Sequence, residues 1–199
     1  KIDFKVANLY GDEMYVDVVL HTVPKDKEKV PAYQNQMKIE RNMFHVPDES
    51  KIGDCGWLSK KNLSDVCKKD FPQVTKVFQQ GEIYKVEITV DLENTKLSRD
   101  LVVEDYLPSG FEIVQTQFQT ESTALSEASK YSQWSWDYVE KRPEVIFAHD
   151  KNTTSNSVTY EYYIRPKFRG TFTQPPVSTY FMYAPDIQAY TQFNYVEVQ

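Results

Sequence analysis

His149 and Asp150 stand side by side in FAHDKN, an imidazole next to a carboxylate, the pairing with which a nucleophilic hydrolase orients its base. No partner for such a base can be read in the chain. G-x-S-x-G, H-E-x-x-H and the phosphate-binding glycine loop are all missing from the sequence. A lone His at a strand end is expected to be solvated. Glu104 and Asp105 are adjacent in VVEDYLP, so on a strand they face opposite sides, whereas glycoside chemistry needs two carboxylates in one cleft. They read as a rim, or as support for the turn that follows. Cys55 and Cys67 bracket a polar loop, GDCGWLSKKNLSDVCKKD, and a local disulfide there would add about 3 kcal/mol through loop entropy. Two free thiols in a reducing compartment are the alternative. His21, His45 and His149 are too scattered to complete a four-ligand zinc site, so neither a metal nor a cofactor is expected. Trp134 and Trp136 share one face of a strand, which suits core packing or a sugar-stacking platform. Asn62-Leu63-Ser64 and Asn152-Thr153-Thr154 match glycan acceptors in loops.

The elements that would carry these residues are strands. The chain has 199 residues, 40% hydrophobic and 26% charged, which is enough for a folded core. Its 14 Tyr, 11 Phe and 3 Trp against 6 Gly favour pleated, half-buried surfaces. A net charge of −6, without basic clusters, argues against nucleic acid. No apolar run approaches the roughly 20 residues that span a bilayer, so no direct membrane insertion is expected. Lys1 stands where an initiator Met would, which suggests an excised piece or mature fragment.

Alternation is clearest in YKVEITVDL, where Tyr84, Val86, Ile88, Val90 and Leu92 point one way and Lys85, Glu87, Thr89 and Asp91 the other. Met37, Ile39 and Arg41 alternate in the same manner. So do Val158, Tyr160, Tyr162 and Ile164. Further strands are expected at 101–106, after the Pro108-Ser109-Gly110 turn, on both sides of Arg142-Pro143, through TFTQPPVSTYFMY, and at the C-terminus. The stretch 47–70 reads as a loop-rich insertion with at most one short helix, and 119–133 as a loop. These signals predict an all-β protein, an antiparallel β-sandwich. Residues 1–33 read as a hairpin or terminal strands of a preceding β domain plus a linker, and 34–199 as the sandwich.

FMYAPDIQAY poses a puzzle. Ala184-Pro185-Asp186 reads as a surface turn, yet two sticky side chains, Met182 and Tyr183, directly precede it. Three segments give that puzzle a context. LVVEDYLPSGFEIV (101–114) carries V-x-D-x-L-P-S-G-F-E. WDYVEKRPEVIFAHD (136–150) is a hairpin with a charged turn. YEYYIRPKFRGTFTQPPVSTYFMYAPDIQAY (160–190) carries Y-x-Y-x-x-R, then a glycine, a double proline and M-Y-x-P at fixed spacing. Together they resemble the last macroglobulin-like domain of bacterial alpha-2-macroglobulins, over roughly residues 80–195. The two-cysteine insertion, the stretch 115–133 and Tyr106 depart from that pattern.

The resemblance implies a C-terminal structural domain of a protease trap, an endopeptidase inhibitor rather than an enzyme. In such a trap, cleavage of a bait segment triggers a shape change, and a Cys–Gln thioester then acylates the protease. This sequence contains no C-x-E-Q. Its implied partners are neighbouring domains of a parent chain, especially a thioester domain, and target proteases through that parent. The implied location is extracytoplasmic: periplasm, cell surface or secreted. Met182 and Tyr183 would then shield the thioester, with Pro185 stiffening their loop. A stand-alone adhesin or carbohydrate-binding sandwich is the alternative.

Overall fold

In the computed structural model, residues 25–26, 30–47, 71–92, 100–114 and 156–199 are described in full, and 138–141 and 145–150 by their backbone alone. Cys55, Cys67, Trp134, Trp136, both glycan acceptors, and the expected 1–20 hairpin, 47–70 helix and 119–133 loop lie wholly or mainly outside these residues. The described residues form strands and connections, with no helix. They build three sheets.

The four-stranded sheet runs in the order β2 (Lys38–His45), β4 (Tyr84–Asp91), β9 (Ser157–Pro166) and β6 (Phe111–Ile113). The six-stranded sheet begins with β1 (Tyr33–Gln34), β12 (Ala184–Tyr190) and β11 (Val177–Phe181). It continues with β5 (Leu101–Tyr106), β8 (Val145–Asp150) and β7 (Tyr138–Lys141). A third sheet holds β10 (Gly170–Gln174), β13 (Asn194–Val198) and β3 (Val77–Phe78). Every pairing is antiparallel except the short parallel ladder between β13 and β3.

The period-2 pattern is why β4 sits at the centre of its sheet. Tyr84, Val86, Ile88, Val90 and Leu92 are all buried, as are Tyr160, Tyr162 and Ile164 of β9, paired with it residue for residue. Full burial of one such aliphatic side chain contributes about 1.5–3 kcal/mol relative to exposure. The opposite faces of β4 and β9 carry charge, with Lys85 held between Glu87 and Glu161 at 3.2 and 3.0 Å. From the six-stranded sheet, Leu101, Val103, Val177, Phe181 and Ala189 enter the same core. Phe78, Val196 and Val198 enter it from the third sheet. Edge-to-face rings join the layers: Phe78 meets Tyr84 at 4.8 Å and Phe111 at 5.2 Å. A smaller cluster of Val46, Ile83, Val114 and Tyr163 packs separately.

Gly110 shows how closely the third sheet approaches. A Cβ there would lie 2.4 Å from the Phe172 ring, so any side chain at this turn position requires the ring to move.

Two expectations need correction. TFTQPPVSTYFMY is not one strand: Pro175-Pro176 divides it into β10 and β11, which belong to different sheets. Neither proline has an N–H for a ladder, so the pair serves as the crossing between sheets. Ala184-Pro185-Asp186 is not the turn either. The chain reverses two residues earlier, at Met182-Tyr183, and Ala184 already begins β12.

Candidate functional site: an exposed hairpin tip

Strands β11 and β12 form a hairpin whose closing pair is Phe181 and Ala184, with Met182 and Tyr183 as its two-residue loop. Such loops commonly use primed turns with Asn or Gly at positive φ, which match the twist of the strands. The positive-φ residues other than glycine among those described are Gln36 and Asp100, so Met182 and Tyr183 take ordinary negative φ values. An unprimed turn splays its strands. The register accordingly resets at once: Tyr180 faces Gln188 while Phe181 faces Ala184, leaving Pro185, Asp186 and Ile187 as a bulge. Proline fits such a bulge because no ladder bond is asked of it. Pro185 thus stiffens the segment beside the tip rather than the turn itself.

The hairpin is anchored at its base and bare at its end. Phe181 is 1% exposed, and Ala184 and Ile187 pack against the main core. Met182 is 42% exposed and Tyr183 82%, the highest value among the exposed large hydrophobic residues described. On one side the Met182 N–H donates to the Asp100 carbonyl at 2.9 Å. On the other, Asn35 holds the bulge: its backbone N–H donates to Gln188 O at 3.0 Å and its Nδ2 to Asp186 O at 2.7 Å.

The inward carboxylate of the Glu104–Asp105 pair behaves quite differently. Asp105 is fully buried, in phase with Leu101 and Val103, and accepts from both Arg41 Nη1 and the Tyr162 hydroxyl. Arg41 Nη2 donates to Pro175 O at 2.9 Å. Asp105 is therefore no rim residue; it ties β2, β5, β9 and the Pro175-Pro176 crossing together. Burial, reinforced by the neighbouring Asp105 charge, pushes the Tyr162 hydroxyl well above the usual tyrosine range. Glu104 points the other way and accepts from Tyr180 at 3.1 Å. A solvent-open cleft of about 140 Å³ lies beside Arg41, next to Gln73, Gln174 and Asn194. The guanidinium's bonds to Asp105 and Pro175 run into the protein, so the cleft offers a ligand little charge.

His149 and Asp150 close β8, with only their backbone described. Among the described residues, no group of three His, Cys, Asp or Glu side chains could hold a metal ion, and no helix is long and apolar enough to cross a membrane. Sequence reasoning missed the Arg41–Asp105–Tyr162 cluster. Its signal was present, in a basic and an acidic residue standing in the apolar phase of two strands.

Residues 57–186, about two thirds of the chain, match the family model described as the bacterial alpha-2-macroglobulin MG10 domain. An alpha-2-macroglobulin homolog of Nostoc sp. is 30% identical over 108 residues, covering 53% of this chain and 5% of that protein. Salmonella alpha-2-macroglobulin reacted with methylamine superimposes with a TM-score of 0.59 and 20% identity, over 84% of this chain and 9% of that one. Trypsin-activated alpha-2-macroglobulin from Escherichia coli gives 0.61 and 19%, over 85% and 11%. The chain thus spans about a tenth or less of each of these relatives. Strands β1, β2 and β13 lie outside the matched range, yet they complete the sheets around the same core. By its sequence, and with a fold in agreement, this chain belongs to the MG10 domain family of bacterial alpha-2-macroglobulins.

Proposed function

We propose that this domain is a structural, non-enzymatic part of an extracytoplasmic protease trap, and that its Met182-Tyr183 tip shields the thioester of a neighbouring domain. The carrying observation is the exposure of those two side chains on a hairpin whose base is fixed in the core. A thioester is lost by attack of water or an amine on its carbonyl carbon, which forms an acid or an amide and releases the cysteine thiol. An apolar cover keeps both nucleophiles away. Tyr supplies rigid area with a polar end, and Met adapts to the surface it meets. The bonds on either side of the tip keep it shaped before contact, which lowers the entropy lost on docking. The methylamine-reacted Salmonella relative and the trypsin-activated E. coli relative fit this chemistry: an amine as the small nucleophile, a protease as the trigger.

The partners are the domains of the parent chain, with proteases engaged through them. The test is Met182→Ala/Tyr183→Ala in the full-length parent, followed by thiol release on adding methylamine. Release should accelerate about tenfold or more, which corresponds to about 1.4 kcal/mol of lost protection. An unchanged rate rules the shield out.

A further inference from the structure

We propose that Asn35 and β1 form a latch that holds the Met182-Tyr183 hairpin in shape and links it to the polypeptide entering the domain through β1. This rests on the shielding role given to that hairpin.

Four observations on two neighbouring segments carry the inference. β1 is only two residues long and lies at the edge of its sheet, with β12 as its neighbour. Two-residue pairings are weak by themselves, so this edge can open without disturbing the core. Tyr33 stacks on Tyr190 with ring centroids 5.4 Å apart, adding one contact to the ladder. Asn35 then bonds twice across the place where β12 loses register: Nδ2 to Asp186 O, inside the bulge, and N–H to Gln188 O, where pairing resumes. Finally, Gln36 has a φ of 60°, a left-handed conformation costly for a residue with a Cβ, before the chain crosses to β2.

A bulge of three residues has no ladder to fix its shape. Here the Asn35 amide supplies a bond to it, and the bulge begins one residue beyond the Ala184 that closes the tip. Asn35 is therefore a positioning residue, acting on Tyr183 through Asp186 and Pro185. Displacement of the incoming chain would peel β1 from β12, withdraw Asn35 and loosen the tip. The latch thus gives a route by which rearrangement elsewhere in the parent uncovers the shielded bond.

The test uses the full-length parent with Asn35→Asp, which keeps the side chain's shape but replaces the Nδ2 donor with oxygen. Gln73→Ala serves as control, because it removes another exposed side-chain hydrogen bond, to Asn42, away from the hairpin. Hydrogen exchange across 182–190 should rise in Asn35→Asp, while exchange across 84–91 and the melting temperature stay unchanged. Thiol release by methylamine should rise several-fold in the same variant and rise no further when Asn35→Asp is added to Met182→Ala/Tyr183→Ala. Gln73→Ala should alter neither readout. Unchanged exchange across 182–190 overturns the latch, whatever methylamine does. Raised exchange with unchanged thiol release, in a parent where the tip variant accelerates it, overturns the link to shielding. If the tip variant itself leaves thiol release unchanged, the shielding role fails, and exchange alone still decides whether Asn35 holds the hairpin.

Discussion

The Arg41–Asp105–Tyr162 cluster and the Met182-Tyr183 tip lie at two ends of one sheet region, with the β5–β11 pairing between them. At one end, Asp105 is enclosed and bonded by two side chains from the facing sheet. At the other, two large side chains with apolar surface stand in solvent beyond a buried Phe181. Each inverts the usual distribution of polarity, in opposite directions. A buried charge is costly unless paired, so its pairing fixes how the layers register. Large side chains left at a hairpin tip add little to the core, which is why a covering surface is proposed for them above. The contrast separates residues that shape the domain from residues that the fold leaves in solvent.

Alkali should give the largest effect. Tyr84, Tyr160, Tyr162 and Tyr163 all have hydroxyls raised above the ordinary value of 10.0, burial being the main cause in each. The stability they contribute is full below pH 10 and is lost as pH climbs toward their folded-state values, because the unfolded chain ionises first. The losses add over the four groups, with Tyr160, Tyr162 and Tyr163, the most deeply enclosed, contributing most. Tyrosinate absorbance should show these four appearing together with unfolding. Gradual ionisation of all of them in a folded protein would break the contrast.

Asp105→Ala should come next. It strands the Arg41 guanidinium, whose side chain is 6% exposed, and costs about 3–5 kcal/mol in denaturant unfolding. A loss under about 1 kcal/mol would place the cluster with ordinary surface pairs. Gly110→Ala sharpens the picture at the turn between β5 and β6. The added methyl collides with the Phe172 ring and should cost about 1–3 kcal/mol, part of it recovered by Phe172→Leu.

Strands were legible wherever one face is buried and the other wet. The β4 and β9 alternations gave their inward residues one by one, and the β2 alternation placed Arg41 inward, where its side chain is 6% exposed. The failures share a cause. Pro175-Pro176 looked like an interruption within one strand because sequence does not say which sheet each half joins. Ala184-Pro185-Asp186 looked like a turn because proline suits turns and bulges equally, and only the pairing of Phe181 with Ala184 separates the two. Asp105 was discounted by reading it with Glu104 as a carboxylate pair, when its relevant partners are 64 and 57 residues away in sequence. The exposure of Met182 and Tyr183 could be suspected from residue type beside a turn signal. What holds their hairpin could not, because Asn35 lies 151 residues from Asp186.

A tip that serves a neighbour rather than the fold can be tested on both counts with one variant. Met182→Ala/Tyr183→Ala in the full-length parent should leave the melting temperature unchanged while methylamine frees the thioester cysteine much faster. A lowered melting temperature together with an unchanged rate of thiol release would contradict that role.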